Sequence, residues 1–172
     1  KGAILTRVAL GHIRVGTFQY IAAKQNISDL EILINYTIEK YYPNIKSSKN
    51  KALDLLNVLI EKQTQLVIDW MRVGFIHGVM NTDNMSISAE TIDYGPCAFM
   101  DAYDPKTVFS SIDQLGRYAY DNQPKITKWN LTRFAECLIP LISKNEDEAI
   151  KLATEALDKF EQNYETKWLN MM

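Results

Sequence analysis

The sequence predicts a mainly α domain with a few short strands. Glycine and proline are sparse, at seven and five of 172 residues, which leaves few positions for tight turns. Apolar residues recur at helical spacing over four stretches, whereas branched apolar residues cluster only in short runs. The hydrophobic fraction of 47% is ample for a packed core. The length suits one compact domain or part of a larger one.

Residues 3–9, Ala-Ile-Leu-Thr-Arg-Val-Ala, read as a short buried strand. Residues 10–17, with Gly11 and Gly16 around Ile13-Arg14-Val15, read as a loop. A helix is expected from Ser28, whose hydroxyl can accept from the first unpaired amides, with Leu30, Leu33, Ile34, Thr37 and Tyr41 on one face until Pro43. Residues 44–50 are a polar linker. The longest periodic run spans 51–73, through Leu53, Leu56, Leu59, Ile60, Gln63, Leu66, Val67, Trp70 and Met71, and Gly74 closes it.

Residues 75–88 read as a loop, Thr91-Ile92-Asp93 as a short strand, and Tyr94-Gly95-Pro96 as a turn. The stretch 97–121 is irregular and aromatic, and Tyr94, Phe99, Tyr103, Phe109, Tyr118 and Tyr120 are expected to pack against the helices. Two helices close the chain, at 122–142 and 146–170. The second carries Ala149, Leu152, Ala153, Ala156, Leu157, Phe160, Tyr164 and Trp168 on one face.

A formal net charge of −2 gives no whole-chain attraction to nucleic acid or to an acidic membrane. No apolar run is long enough to span a bilayer, and no stretch reads as a secretory signal. Cys97 and Cys137 are too few for a disulfide scaffold, lack zinc-site spacing, and read as reduced thiols. The opening on Lys1 and the last helix, which has no stop signal, suggest a piece of a longer protein.

The chemistry concentrates between Gly74 and Asp104. A long apolar helix leads into His77-Gly-Val-Met-Asn-Thr-Asp-Asn-Met-Ser-Ile87, and Thr91-Ile-Asp-Tyr-Gly-Pro96 follows. That order occurs in the catalytic half of protein-kinase-like folds, where H-x-D-x-x-x-x-N precedes D-F-G and the Asn and second Asp hold magnesium. His77 stands seven residues before Asn84, as that loop requires, and Asp93-Tyr94-Gly95 takes the place of D-F-G. Where the catalytic Asp belongs there is Val79, which cannot accept a proton; an aspartate, Asp83, lies instead beside Asn84. Taken singly, these Asp and Asn residues also suit hydrogen-bonded turns, and Arg7 and Arg14 suit surface ion pairs. His77 reads as a backbone brace rather than a catalyst, and Asn81 suits either loop capping or the metal region.

These blocks resemble the selenoprotein O family of protein adenylyltransferases, long called pseudokinases. Gly116-Arg-Tyr118, Asn122-Gln-Pro124, Trp129-Asn-Leu131, Leu5-Thr-Arg-Val-Ala9 and Ile13-Arg14 extend the resemblance over most of residues 2–140 in family order. It implies a kinase-like fold that binds ATP in a flipped orientation and transfers AMP to Ser, Thr or Tyr hydroxyls of proteins. By the same resemblance Asp83 is the general base, Asn84 and Asp93 hold Mg2+ (or Mn2+ in its place), and Arg7 and Arg14 contact the nucleotide phosphates. The implied partners are ATP and protein substrates, with no nucleic acid and no membrane. The implied setting is the bacterial cytoplasm, or the mitochondrion in a eukaryote.

The resemblance further implies that residues 1–172 are a single partial domain, the larger lobe. The nucleotide-binding small lobe and the family's C-terminal region are expected outside it, since no G-x-G-x-x-G or G-K-S/T occurs here. The 172 residues alone are therefore expected to bind ATP weakly and not to transfer. Two other readings stand beside adenylyl transfer: a kinase-like phosphotransferase, which Val79 argues against, and a catalytically dead binding module. The retained trio Asp83, Asn84 and Asp93 argues against the dead module.

Overall fold

The computed structural model describes residues 2–4 and 6–171. Five helices carry the fold: α1 (Val15–Ala22), α2 (Ile27–Tyr41), α3 (Lys51–Arg72), α4 (Gln123–Ile142) and α5 (Glu146–Met171). One two-stranded antiparallel sheet joins β1 (Phe75–Ile76) to β2 (Ala98–Phe99), with Phe75 opposite Phe99 and Ile76 opposite Ala98.

The long helices form where the apolar period places them. α3, α4 and α5 pack against one another. They bury Leu55, Leu56, Leu59 and Ile60 from α3, Leu131, Phe134 and Leu138 from α4, and Ala149, Ala153, Ala156 and Phe160 from α5. The alanine stripe of α5 keeps that face flat, so the larger α3 side chains seat against it. Each fully buried leucine or phenylalanine contributes about 1.5–3 kcal/mol. α1 docks on α4 through Phe18, whose ring meets Phe134 edge-on with centroids 4.9 Å apart.

Asparagine side chains cap three of these helices. Asn26 Oδ1 accepts from the amides of Ser28 and Asp29, Asn50 Oδ1 from Leu53, and Asn145 Oδ1 from Glu148. The expected cap, Ser28, already lies inside α2, because Asn26 caps the helix two residues earlier. Gly74 ends α3 as expected, with a left-handed φ of 69°.

Further expectations are corrected, and the expected loop at 75–88 opens with the two residues of β1. No described residue of the stretch 3–9 is a strand, and Leu5 lies outside the described residues. Ile4 is 97% and Val8 91% exposed, because no neighbouring strand pairs with this stretch among the described residues. The expected loop at 10–17 contains the start of α1, a short helix whose glycine and β-branched residues hide the helical period. Thr91-Ile92-Asp93 is not a strand either: Asp93 has a φ of 59°, left-handed backbone that a strand cannot hold, and the pairing falls at 98–99. The aromatic stretch is largely exposed at Tyr94, Phe99 and Tyr103, and of its six rings only Tyr120 is buried.

Candidate active site

β1 delivers the chain from the end of α3 into the polar loop, and buried side chains brace that loop from three helices. Gln123, fully buried at the start of α4, donates from Nε2 to Phe75 O and accepts the His77 amide on Oε1. Asn130, two turns along the same face of α4, donates to Met80 O at 2.9 Å, and Gln63 of α3 donates to Ser86 O at 2.7 Å. Tyr42, just past α2, donates its hydroxyl to Ile87 O, and burial pushes that phenol up to about 12. A polar group buried without a partner costs about 1–3 kcal/mol, so each brace specifies the loop's path.

His77 is buried in the centre of this bracing. Its Nε2 lies 2.7 Å from Ile92 O, which can only accept, so Nε2 carries the proton and Nδ1 faces the Val79 amide at 3.4 Å. Burial holds the imidazole below its ordinary value, and it is neutral near pH 7. These bonds match the expected bracing role. Next door, Gly78 has a φ of 85°, and a methyl group there would press on Pro96 at 2.9 Å from Cγ and 3.2 Å from the carbonyl oxygen. Glycine is required at this position on both counts.

Beyond Met80 the loop makes one turn of 3-10 helix over Thr82–Asn84, with Asn81 Oδ1 capping the Asp83 amide at 3.0 Å. Asp83 is exposed. Asn84 Nδ2 donates to Val79 O at 2.9 Å, which fixes the amide and leaves Oδ1 as its oxygen donor. Val79 thus serves the loop through its backbone amide and carbonyl.

The chain then crosses the entry of α1. Val15 N donates to Met85 O, Ile87 N donates to Ile13 O, and Arg14 and Ser86 form a single antiparallel bridge. These ties bring the two sequence-predicted arginines to the second half of the motif. Arg7 Nη1 donates to Asp93 Oδ1, and Arg14 Nη2 lies 3.6 Å from Asp93 Oδ2. Arg14 Nε is buried with no partner among the described residues. A cavity of about 680 Å³ opens here, lined by Arg7, His12, Arg14, Glu90, Asp93 and Tyr94, among others. Asn84 lines a narrow cleft beside it, and Glu90 borders both.

The structure therefore joins Arg7, Arg14 and Asp93 directly and sets Asn84 in the adjoining cleft. Asp83 does not line the cavity; its carboxylate rests instead against Gly16, two residues beyond Arg14. No site role was legible in the sequence for Gly16, Glu90, Gln123 or Asn130, although Gln123 and Asn130 lie in the blocks that carry the family resemblance. Gln63 carried a legible signal, as a polar residue inside an otherwise apolar helical stripe. Cys137 is buried, which pushes its thiol up to about 11 and keeps it protonated.

Relatives of this chain are enzymes by name. The protein nucleotidyltransferase YdiU of Pelagibacter ubique (strain HTCC1062) is 96% identical over 172 residues, and that of Alcanivorax borkumensis is 60% identical over 171. The match covers all and 99% of this chain, but 36% and 35% of those relatives, so the chain spans about a third of their length. The sequence model described as protein adenylyltransferase SelO matches residues 1–172, and the chain belongs to that family.

Proposed function

We propose that these residues form the larger-lobe part of a kinase-like protein adenylyltransferase, which moves AMP from ATP to a Ser, Thr or Tyr hydroxyl. The observation that carries this reading is the convergence of Arg7 and Arg14 on Asp93 at the wall of one cavity. Two guanidiniums meet at one cavity wall, where their forks suit the oxygens of a polyphosphate.

In this reading the acceptor hydroxyl attacks the α-phosphorus and pyrophosphate leaves. Arg7 and Arg14 neutralise charge on the phosphates in the ground state and the transition state. Asp83, exposed to an incoming protein, orients the hydroxyl and takes its proton. The donor set fits a hard divalent cation, since Asn84 Oδ1 and the Asp93 carboxylate are both oxygen ligands. Magnesium, or manganese in its place, would supply further positive charge against the polyphosphate when bound there.

Transfer is assigned to the longer protein, with the small lobe and C-terminal region outside these residues, and the 172 residues alone are expected to be inactive. The test is incubation of the full-length protein with ATP labelled at either the α- or the γ-phosphate. Label retained from the α-position alone supports adenylyl transfer, whereas label retained only from the γ-position would mean phosphoryl transfer.

A further inference from the structure

We propose that Gly16 is a positioning residue for Asp83, leaving open the carboxylate orientation that transfer requires. The inference rests on the reading of Asp83 as the general base.

Gly16 is the second residue of α1, and its φ lies outside the left-handed region, so its backbone would admit any L-residue. The demand for glycine there is steric. A methyl group on Gly16 would overlap Asp83 Oδ1 and stand 3.1 Å from Cγ and 3.5 Å from Cα of the same residue. The carboxylate therefore points its Oδ1 end-on at a bare Cα.

Hydrogen bonds tie both backbones, so the far end of the Asp83 side chain is the cheapest part to move. Val15 N–Met85 O at 3.0 Å and Ile87 N–Ile13 O at 2.9 Å tie the entry of α1 to the far side of the loop. Asn81 Oδ1 holds the Asp83 amide on the near side. That side chain moves by rotation, and its staggered alternatives carry the carboxylate elsewhere. A small displacement of a reacting group is costly to rate: about 1 Å can lower it about a hundredfold. Alanine is at the same time a better helix former than glycine. Stability and transfer should therefore respond to the substitution in opposite senses.

The test uses Gly16→Ala, Asp83→Ala and the double variant in the full-length protein, read by transfer kinetics and by Tm. We expect Gly16→Ala to lower kcat at least about tenfold with KM for ATP within about twofold, because the phosphate-binding arginines are untouched. In Tm, Gly16→Ala should raise stability more in the Asp83→Ala background than in the parent, because the overlap is gone. A Gly16→Ala protein that unfolds but is restored by adding Asp83→Ala supports the contact, and one that is not restored overturns it. Equal Tm shifts in both backgrounds also overturn it. Wild-type kcat in Gly16→Ala beside an inactive Asp83→Ala overturns this proposal alone. Full transfer by Asp83→Ala overturns the base assignment, and this proposal with it.

Discussion

His77 Nε2 donates to Ile92 O across 2.7 Å, so a buried imidazole fixes the peptide that leads directly into Asp93. The left-handed turn at Asp93 begins where that bond ends, and Gly95 N closes it on Asp93 O at 2.7 Å. Burial keeps His77 neutral in the folded chain, while the unfolded chain binds a proton near pH 6.5. Stability should be full above about pH 6.5 and fall as pH drops below it toward the lower folded value. Tm measured between about pH 5 and 7.5 checks this, and the acid slope should be shallower in His77→Gln.

Asp83 and Asp93 should separate by phenotype in the full-length protein. Asp83→Ala is expected to leave ATP binding largely intact and to lower transfer by about 10²–10⁴-fold, because a base acts in the transition state. Asp93→Ala should abolish magnesium-dependent ATP binding, measured by calorimetric titration with and without the metal.

Arg14→Gln should weaken ATP binding of the full-length protein about ten- to a hundredfold, the loss of charge-assisted bonds worth about 1.5–3 kcal/mol. The ion pairs that Arg7 and Arg14 make with Asp93 are partly exposed and add little to folding. Tm without nucleotide should therefore stay close to the parent. Titration with ATP at two salt concentrations completes the check, since the variant should lose part of the salt dependence.

Two backbone positions should respond in opposite directions. Ala89 has a φ of 56°, and a left-handed alanine is strained by about 1–2 kcal/mol. Ala89→Gly should therefore raise stability by about 1 kcal/mol. Gly78→Ala should lower it by at least about 1–2 kcal/mol, since it adds a contact with Pro96 to the same left-handed strain. Denaturant midpoints measured at constant slope report both.

The long helices were legible because their burial follows a period. Leu56, Leu59, Ile60 and Val67 could be assigned to one buried face of α3 before any contact was known. Other features depend on partners that a local reading does not contain. Ile4 and Val8 have strand-forming side chains, yet no partner strand pairs with them among the described residues. Asp93 looked like part of a strand because composition does not report the sign of φ. The candidate site was legible as a motif, and the order His77, Asp83, Asn84, Asp93 located the loop. Its geometry was not: the ties from α1, and the role of Gly16, come from residues distant in sequence.

The bridge between Arg14 and Ser86 has a metrical consequence. Arg14 faces Asp93 and Gly16 faces Asp83, so two residues separated by a single position in the chain meet both carboxylates. Two peptide units can span no more than about 7 Å, and the Arg14 side chain adds its own reach to Asp93. The entry of α1 thus works as a caliper whose jaws rest on the two aspartates. Lengthening or shortening it by one residue would change the gap between them without altering either side chain.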